Sequence, residues 1–311
     1  MRVFIVGSPF TGKSTLLARL TGGKEIGTLA VKDERLDALV RVFRPRKITP
    51  LKMTLVDSDA LGKLYNENKP TRIFQELVEA HVFLEVSGGL VGDFMSFTDT
   101  TLKFLTIESN VLSKRLERLR KEVAVGRADA RELEVIERAL AHVSEGIPLY
   151  AAGFSEDEVR ILKGLGLLSI KPRVVLFNAT DDGGPDEDAL EEVRAQGLPH
   201  ITINVLRAPE EVLNAEVSRA LLSATDTITF FTPSERETRA WPLARGSTAL
   251  AAAATIHNDL ARGFVRVEVI PWDRLVEAGG WKEARERNWV RVEGRDYVVK
   301  DGDCLYVRAS T

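Results

Sequence analysis

The sequence predicts an α/β fold in which a parallel sheet carries an inserted antiparallel helical hairpin and is followed by a smaller α+β domain. Short apolar runs alternate with helical or irregular stretches, which is typical of parallel sheets. Apolar residues in 100–146 follow the three- and four-residue steps of a coiled-coil seam. The predicted domains are 1–98 with 170–224 for the discontinuous α/β domain, 99–169 for the hairpin and 225–311 for the C-terminal domain.

The parallel sheet is predicted from apolar runs bounded by turn residues. The first run, 2–6, is nearly continuous in apolar residues, as in strands buried on both faces of a sheet. A helix is predicted next, because Leu16, Leu17 and Leu20 lie at helical spacing and are followed by a glycine pair. The remaining predicted strands are 53–56, 81–86, 173–177 and 201–205.

The C-terminal domain is predicted to mix strands with short helices. An alanine-rich helix should begin after Thr248, a residue type favoured at helix N-caps, and a second helix is predicted near 274–287. The predicted strands are 227–231, 238–243, 264–270, 289–292 and 305–308.

Composition places the chain among ordinary globular proteins, since 44% of its 311 residues are hydrophobic and 29% are charged. A net charge of −3 argues against a protein that binds nucleic acid through overall positive charge. No apolar run approaches the roughly 20 residues that span a bilayer, so no membrane partner is predicted. The opening segment does not resemble a secretory signal, and the single cysteine, Cys304, has no disulfide partner in the chain. These features predict a cytoplasmic location.

The strongest local signal is the glycine-rich segment between the first predicted strand and the first predicted helix. Glycines let backbone N–H groups point at phosphate oxygens, Lys13 adds a positive charge, and the helix N-terminus adds its dipole. The alternative is an ordinary glycine-rich turn, which the strand before and the helix after the segment disfavour. The predicted phosphate-binding residues are Gly7, Ser8, Pro9, Phe10, Thr11, Gly12, Lys13, Ser14 and Thr15.

Ser14 and Asp57 are the predicted ligands of Mg²⁺. The hydroxyl of Ser14 follows the lysine at the place where such loops contact magnesium. Asp57 ends the predicted strand 53–56, at the edge where an acid holds the magnesium shell, and a simple turn aspartate is the alternative. The predicted cofactor is therefore Mg²⁺, with GTP or ATP as the ligand.

Asn178 and Asp181 are the predicted base-binding residues. They follow the strand 173–177, and a carboxylate there can accept hydrogen bonds from N1–H and N2–H₂ of guanine. The sequence that continues with Asp182, Gly183 and Gly184 also fits an ordinary turn, so both interpretations stay open.

The remaining polar clusters point to no catalytic group. His81, His142, His200 and His257 lack metal-ligand spacing and are interpreted as structural. Two basic clusters fit either a solvated surface or a footprint for RNA phosphates. They are Arg41, Arg44, Arg46, Lys47 and Lys52, and Lys114, Arg115, Arg118, Arg120 and Lys121.

The C-terminal sequence resembles the TGS domain of the YchF-type (Obg-like) P-loop NTPases. The resemblance is dense over 227–308, which begins TITFFTPSERETRAWPLARGSTALAAAATIHNDL, and it extends to LKGLGLLSIKP at 162–172 and to residues 3–20. It implies a P-loop G domain, a coiled-coil hairpin and a β-grasp-like TGS domain in a cytoplasmic NTPase associated with the ribosome or RNA. It also implies a phosphate-binding role for residues 7–15.

Three departures from the family pattern bear on hydrolysis. The family has a long switch I with a threonine that senses the third phosphate, and Thr28 is the sole nearby candidate here. Switch II begins Asp-x-x-Gly in the family, whereas this chain has Ala60 after Asp57, Ser58 and Asp59. The strand histidine of the family aligns near Phe83, with His81 two residues away. These departures from the family pattern predict slow or impaired hydrolysis.

The sequence leaves two alternatives for the nucleotide base and two for the function. Asp181 resembles the guanine-reading acid of ordinary G proteins, whereas the YchF group typically has glutamate there and accepts ATP. The first functional hypothesis is a nucleotide-dependent regulatory protein associated with ribosome or RNA. The alternative is a pseudo-NTPase that acts as an interaction scaffold through its hairpin and C-terminal surfaces. A small-molecule kinase is disfavoured, because the C-terminal resemblance leaves little room for an acceptor pocket and lid.

Overall fold

A computed structural model of the chain describes residues 1–23, 25–58 and 76–310. The chain divides into two compact units, one formed by Met1–Thr28 and Thr54–Leu213, the other by Leu29–Met53 and Asn214–Thr311. The three domains predicted from the sequence are a different division, and their bounds stay a prediction.

The secondary structure of the described residues alternates strands and helices. The strands are β1 (Arg2–Val6), β2 (Ile26–Ala30), β3 (Lys47–Thr49), β4 (Lys52–Asp57), β5 (Val82–Gly88), β6 (Arg173–Asn178), β7 (His200–Ile203), β8 (Thr227–Thr232), β9 (Glu237–Ala244), β10 (Phe264–Pro271), β11 (Arg291–Glu293) and β12 (Asp303–Ala309). The α-helices are α1 (Lys13–Thr21), α2 (Glu34–Phe43), α3 (Ser96–Ala124), α4 (Ala130–Ser144), α5 (Glu156–Lys163), α6 (Glu187–Ala195), α7 (Glu210–Ala224), α8 (Ala249–Ile256), α9 (Asn258–Arg262), α10 (Trp272–Ala278) and α11 (Trp281–Glu286).

The first sheet has the strand order β2-β4-β1-β5-β6-β7. Strand β1 pairs in parallel with β4 and β5, and β5, β6 and β7 continue in parallel. The register sets Ile5 opposite Asp57 and Gly88 opposite Asn178. The predicted parallel sheet is thereby confirmed. Because the strands run the same way, the carboxyl ends of β1, β4, β5, β6 and β7 lie at one edge of the sheet.

Helix α1 follows β1 after the glycine-rich loop, which we define as residues 7–12. Its apolar face is formed by Leu16, Leu17 and Leu20, all buried, as their helical spacing predicts. The helix ends at Gly22, whose left-handed backbone (φ 70°) lets its N–H donate to the carbonyl oxygen of Ala18 at 2.8 Å. The predicted helix and its predicted end are both confirmed.

Helices α3 and α4 form the predicted antiparallel hairpin, joined by the short segment 125–129. A turn at Gly126 with φ 68° reverses the chain, and Asp129 caps α4 by accepting from the N–H of Arg131. No helix in the described part of the chain combines the length and the apolar character needed to cross a bilayer. The seam between the two helices buries Leu105, Leu112, Leu116, Leu119, Val135, Ile136, Ala139 and Val143.

One carboxylate fastens the hairpin to the chain that enters β6. Glu108 of α3 is fully buried, and its oxygens accept from the backbone N–H groups of Leu168 (2.5 Å) and Ser169 (2.6 Å). The hydroxyl of Ser169 donates a third bond of 2.5 Å. Burial raises the pKa of Glu108, and these three donors partly offset the rise because they stabilise the charged form.

The second unit contains a mixed sheet of order β11-β10-β12-β8-β9-β3. The pairs β10–β11, β10–β12 and β8–β9 are antiparallel, whereas β8–β12 and β3–β9 are parallel. The alanine face of α8 packs on this sheet, and Thr248 caps the helix by accepting from the N–H of Ala251. The predicted α+β organisation of this part is confirmed.

Several predicted element bounds need correction. The single helix predicted near 274–287 is two helices, α10 and α11, because Gly279 and Gly280 both have positive φ and interrupt it. Strand β7 ends at Ile203 instead of residue 205, because Asn204 turns the chain. Strands β2 and β3 were not predicted, since one contains a glycine and the other has only three residues.

Candidate functional site

A cavity of about 650 Å³ opens at the carboxyl edge of the parallel sheet. This volume lies within the range of about 300–1,000 Å³ that small-molecule sites occupy. The glycine-rich loop and the start of α1 form one wall, and the segments after β5, β6 and β7 form the others. The lining residues are Pro9, Phe10, Gly12, Lys13, Ser14, Thr15, Gly89, Leu90, Asn178, Ala179, Thr180, Asp181, Asp182, Asn204, Val205, Leu206 and Arg207.

Two glycines of the loop occupy positions that no other residue fits. Gly7 has φ 134°, and a Cβ there would lie 2.3 Å from the carbonyl oxygen of Val86. Gly12 has φ 100°, and its Cβ would lie 2.5 Å from Nδ2 of Asn178. Both the backbone angles and the close approach therefore require glycine, as the motif predicts.

The amino end of α1 faces this cavity without a side-chain cap. Gly12 is the N-cap and supplies no side-chain hydrogen bond, so the first N–H groups of the helix have no acceptor within the helix. Lys13, Ser14 and Thr15, which carry these groups, line the cavity. Uncapped amides and the positive end of the helix dipole make this end an anion-binding position.

The ammonium group of Lys13 is held inside the loop. Its Nζ donates to the carbonyl oxygens of Gly7 (3.0 Å) and Ser8 (2.8 Å), and the side chain is almost buried. The hydroxyl of Thr11 also donates to the carbonyl oxygen of Ser8, at 3.0 Å. These bonds fix a positive charge next to the uncapped helix end.

Ser14, which lines the cavity, is paired with Asp57 at the end of β4. The hydroxyl of Ser14 donates to Oδ2 of Asp57 at 2.5 Å. The other oxygen, Oδ1, is buried and has no hydrogen-bond partner among the described residues. A hydroxyl beside a carboxylate with an unused buried oxygen is a hard oxygen donor set, which suits Mg²⁺. The residues present therefore fit the predicted ion.

Asn178 joins three of the segments that surround the cavity. Its Nδ2 donates to the carbonyl oxygen of Thr11 at 2.8 Å, and its Oδ1 accepts from the N–H of Val205 at 3.0 Å. The side chain is buried at the end of β6. It thus holds the glycine-rich loop and the segment after β7 together, while base binding by Asn178 stays a prediction.

Asp181 also lines the cavity, on a turn closed by Thr180 and Gly183. The N–H of Thr180 donates to the carbonyl oxygen of Gly183 at 2.9 Å. The carboxylate of Asp181 accepts from Nη2 of Arg207, and both side chains are more than half exposed. The lining of the cavity therefore contains an accessible ion pair between Asp181 and Arg207.

Known proteins with similar sequences share nearly the full length of the chain. The ribosome-binding ATPase YchF of Haemophilus ducreyi is 30% identical over 356 aligned positions, which cover 98% of each chain. The chain belongs to the YchF family. The ribosome-binding ATPase YchF of Escherichia coli O157:H7 is 29% identical, with 97% of each chain covered.

Two further comparisons agree with membership of the YchF family. Residues 227–310 match the family model YchF-GTPase_C, described as a protein of unknown function (DUF933). The solved structure of the YchF GTPase from Schizosaccharomyces pombe superposes with a TM-score of 0.85 at 22% identity, covering 99% of this chain and 97% of the other. This likeness confirms the predicted fold class.

The positions of this YchF chain that bear on hydrolysis in the family pattern do not lie together at the cavity. Thr28 is exposed on β2 and does not line the cavity, and Phe83 is fully buried in the core. His81 precedes β5 at the amino edge of the sheet, where its Nδ1 accepts from the N–H of Arg2. Burial and nearby positive charges lower the pKa of His81. Asp59 and Ala60 lie outside the described residues.

Two lining segments were missed from the sequence. Gly89 approaches the loop so closely that a Cβ would lie 2.6 Å from the carbonyl oxygen of Thr11. After β7, Oδ1 of Asn204 accepts from the N–H groups of Leu206 (3.1 Å) and Arg207 (2.9 Å). These bonds stabilise a turn at residues 204–207, which line the cavity. The predicted parallel strands could have indicated both segments, because the loops that follow parallel strands converge at one edge of the sheet.

Proposed function

We propose that this member of the YchF family binds a purine nucleoside triphosphate, GTP or ATP, together with Mg²⁺, and that the bound nucleotide regulates association with the ribosome. The observation that carries the nucleotide part is the convergence of Lys13 and the uncapped end of α1 at one cavity, where Ser14 of the lining is hydrogen-bonded to Asp57. The ribosome part is supported by the name of the similar proteins, ribosome-binding ATPase YchF.

Each group has a role that follows from its position. The backbone N–H groups of Phe10, Gly12, Ser14 and Thr15 and the Lys13 ammonium bind phosphate oxygens, because these residues line one wall of the cavity and carry hydrogen-bond donors. Ser14 and Asp57 would hold the magnesium ion through the hydroxyl and the carboxylate. When bound, Mg²⁺ would neutralise part of the negative charge on the phosphates.

Hydrolysis, in our proposal, is slow. The candidate His81 precedes β5, a strand of seven residues that spans roughly 20 Å, and the cavity lies past the other end of this strand. Phe83 is buried and carries no group that can accept a proton. Among the described lining residues there is no histidine to orient a water molecule. These observations also favour the second candidate, a pseudo-NTPase scaffold.

Calorimetric titration with GTP, ATP, GDP and ADP in the presence of Mg²⁺ tests nucleotide binding. We expect binding in the native chain and a loss of at least about tenfold in Lys13→Ala, because the variant removes the fixed ammonium. Lys163→Ala, which removes an exposed lysine that does not line the cavity, is the matched control. Equal affinity in native and Lys13→Ala protein would reject the proposal.

Phosphate release separates the slow enzyme from the scaffold. Steady release that Lys13→Ala abolishes supports the enzyme, whereas release at the same background level in both proteins supports the scaffold. The two outcomes share nucleotide binding and differ only in turnover.

Association with the ribosome is tested by co-sedimentation with and without nucleotide. We expect the fraction that pellets with ribosomes to change with nucleotide in the native chain and to stay constant in Lys13→Ala. Equal pelleting under every condition would contradict regulation by nucleotide.

The basic cluster at residues 114–121 of the hairpin is by itself a weak explanation for RNA binding. Three of its cations form ion pairs with glutamates of the hairpin. These are Arg115, Arg120 and Lys121.

A further inference from the structure

We propose that an arginine-rich surface at the β3 edge of the second sheet binds the phosphate backbone of RNA. Two segments that are distant in the sequence build it, namely the end of α2 with β3, and the turn between β8 and β9 with the start of β9. The inference rests on the ribosome part of the proposed function, because it names the surface that would contact ribosomal RNA. We define the edge surface as Arg41, Arg44, Arg46, Lys47, Arg236 and Arg239.

Backbone pairing brings the two segments together within the second unit. Strand β3 pairs in parallel with β9, and this register sets Lys47 opposite Glu237. One residue before β3, the N–H of Arg46 donates to the carbonyl oxygen of Glu235 at 2.9 Å. Helix α2, which carries Arg41, also packs against β9. Cations of both segments are therefore neighbours, although nothing in the local sequence of either segment indicates the other.

Positive charge is concentrated on this surface. Segment 41–47 contains four cations and no acid, and segment 235–239 contains two cations and two glutamates. The two segments together carry a net charge of +4 in a chain whose net charge is −3. Glu237 is already engaged, because it accepts from the hydroxyl of Thr49 at 2.6 Å and lies 3.0 Å from Nζ of Lys47. A local excess of one charge attracts ligands of the opposite charge.

Most of the arginines of the edge surface are available to a partner. Four of them are exposed, and none of the four forms an ion pair with a residue that the structure describes; they are Arg41, Arg44, Arg46 and Arg236. The basic cluster of the hairpin differs, since three of its cations are paired with glutamates of the hairpin. Of the two basic clusters in the sequence, the one at α2 and β3 is therefore the better candidate for binding an external polyanion.

The guanidinium of Arg239 is held in place by an aromatic ring. Its Cζ lies 3.6 Å from the centroid of the Trp241 ring, and the indole N–H of Trp241 donates to the hydroxyl of Thr232 at 2.9 Å. A guanidinium that stacks on a ring keeps its N–H donors in its own plane, where they can bind phosphate oxygens. Because the side chain is already ordered, binding costs it little conformational entropy.

The composition of the edge surface favours RNA over a protein or a lipid partner. Five of its six cations are arginines, whose planar set of donors matches phosphate oxygens. Within 41–50 and 235–239, which the structure describes throughout, Ile48 is the only large hydrophobic residue that is strongly exposed. A protein interface or a membrane contact needs a larger apolar centre. Pro45 and Pro50 flank β3 and disfavour the addition of a peptide strand at this edge.

The test is fluorescence anisotropy with a labelled RNA hairpin, in the absence of nucleotide, at KCl concentrations of about 50–200 mM. The triple variant Arg44→Gln, Arg46→Gln and Arg236→Gln should bind the RNA at least about tenfold more weakly than the native chain. The slope of log affinity against log salt should also become shallower by about two to three, because each lost phosphate contact contributes about 0.7–0.9. All three side chains are exposed, so the variant should keep the fold, and thermal unfolding checks this.

The matched control removes the same charge from the hairpin. Lys114→Gln, Arg118→Gln and Lys121→Gln together should change RNA affinity by less than about threefold, because these residues lie outside the edge surface. Glu237→Gln gives a reciprocal prediction. It removes the negative charge beside Lys47 and keeps a side-chain oxygen as acceptor, so RNA should bind more tightly at each salt concentration.

The outcomes separate this inference from the proposed function. Equal losses in the two triple variants, an unchanged salt slope, no binding of RNA by native protein, or tighter binding to polyglutamate or to phosphatidylserine vesicles than to RNA would overturn the edge surface as an RNA site. Nucleotide affinity in calorimetry should be the same in the edge variant and the native chain, and its dependence on Lys13 tests the nucleotide part separately. If native protein binds RNA through these arginines but does not pellet with ribosomes, the ribosome part of the proposed function is overturned and the RNA site is supported.

Discussion

Asn178 donates a hydrogen bond of 2.8 Å from Nδ2 to the carbonyl oxygen of Thr11 and so fastens the glycine-rich loop to the end of β6. The same side chain accepts from the N–H of Val205, which lies in the segment after β7. A residue predicted as a reader of the base therefore also determines the relative position of two walls of the cavity.

Substitution of Asn178 should lower the stability of the fold and the affinity for nucleotide together. In Asn178→Ala the carbonyl oxygen of Thr11 and the N–H of Val205 lose their partner in a buried place, at a cost of about 1–3 kcal/mol in the free energy of unfolding. Urea unfolding measures the cost, and calorimetry should show weaker binding of ATP and GTP alike. Asn178→Asp keeps an acceptor for Val205 but sets a buried carboxylate oxygen against the carbonyl oxygen of Thr11, so we expect it to lose at least as much stability as Asn178→Ala. Unchanged stability in Asn178→Asp would contradict the hydrogen bond to Thr11.

The glycine requirement at position 7 can be measured against a second glycine. Gly7→Ala places a Cβ against the carbonyl oxygen of Val86, in addition to the strain of a positive φ. Gly197 also has positive φ (65°) but has nothing within 4 Å of its Cβ position, so Gly197→Ala reports the cost of a left-handed helical backbone without a close contact, about 1–2 kcal/mol. We expect thermal unfolding to show a clearly larger loss for Gly7→Ala, together with loss of nucleotide binding, and equal losses would argue against the close contact.

The Ser14–Asp57 pair predicts how binding depends on magnesium. In native protein, excess EDTA should weaken nucleotide binding, because Mg²⁺ held by Ser14 and Asp57 would neutralise part of the phosphate charge. Asp57→Asn removes the negative charge and keeps the shape, so the ratio of affinities with and without Mg²⁺ should approach one. A ratio equal to that of native protein would place the ion elsewhere.

Glu85 predicts a pH dependence of stability. Burial raises the pKa of this carboxyl from 4.5 to about 7, and Arg173, whose Nη1 lies 3.1 Å from Oε2, opposes the rise. The folded chain binds this proton more tightly than the unfolded chain. The resulting stabilisation is therefore complete below about pH 4.5 and is lost as the pH rises through about 7.

Urea unfolding between pH 5 and 8 checks the sign (the range brackets the pKa of about 7). Glu85→Gln has no proton to lose, so the difference in unfolding free energy between variant and native protein should grow with pH in favour of the variant. One proton limits this slope to about 1.4 kcal/mol per pH unit. A difference that stays constant would show that Glu85 does not titrate in this range.

The sequence was most informative where its determinants are local. Gly7 and Gly12 with the apolar spacing after Lys13 define the loop and α1 within one short segment, although the contacts that require the glycines are made with Val86 and Asn178, which are distant in the sequence. The apolar run 2–6 could be assigned to a buried parallel strand for the same reason, since its residues are apolar on both faces.

Features that depend on distant residues could not be predicted. The pairing of β3 with β9 joins Lys47 to Glu237, and nothing near either residue indicates the other. Glu85 lies in a run that otherwise reads as fully apolar, and its burial is understandable only with Arg173 of the neighbouring strand. The partner of Asp181 was likewise hidden, because Arg207 reaches it only after β7 ends early at Ile203.

The three hydrogen bonds that Glu108 accepts have a mechanical consequence for the hairpin. From Glu108 to the tip at Ala124, α3 forms an arm of roughly 24 Å. The clamped residues, Leu168 and Ser169, lie just before β6, the strand whose last residue is Asn178. A sideways force on the tip of the hairpin is therefore transmitted through Glu108 to the segment that enters β6. The last residue of that strand, Asn178, lines the cavity.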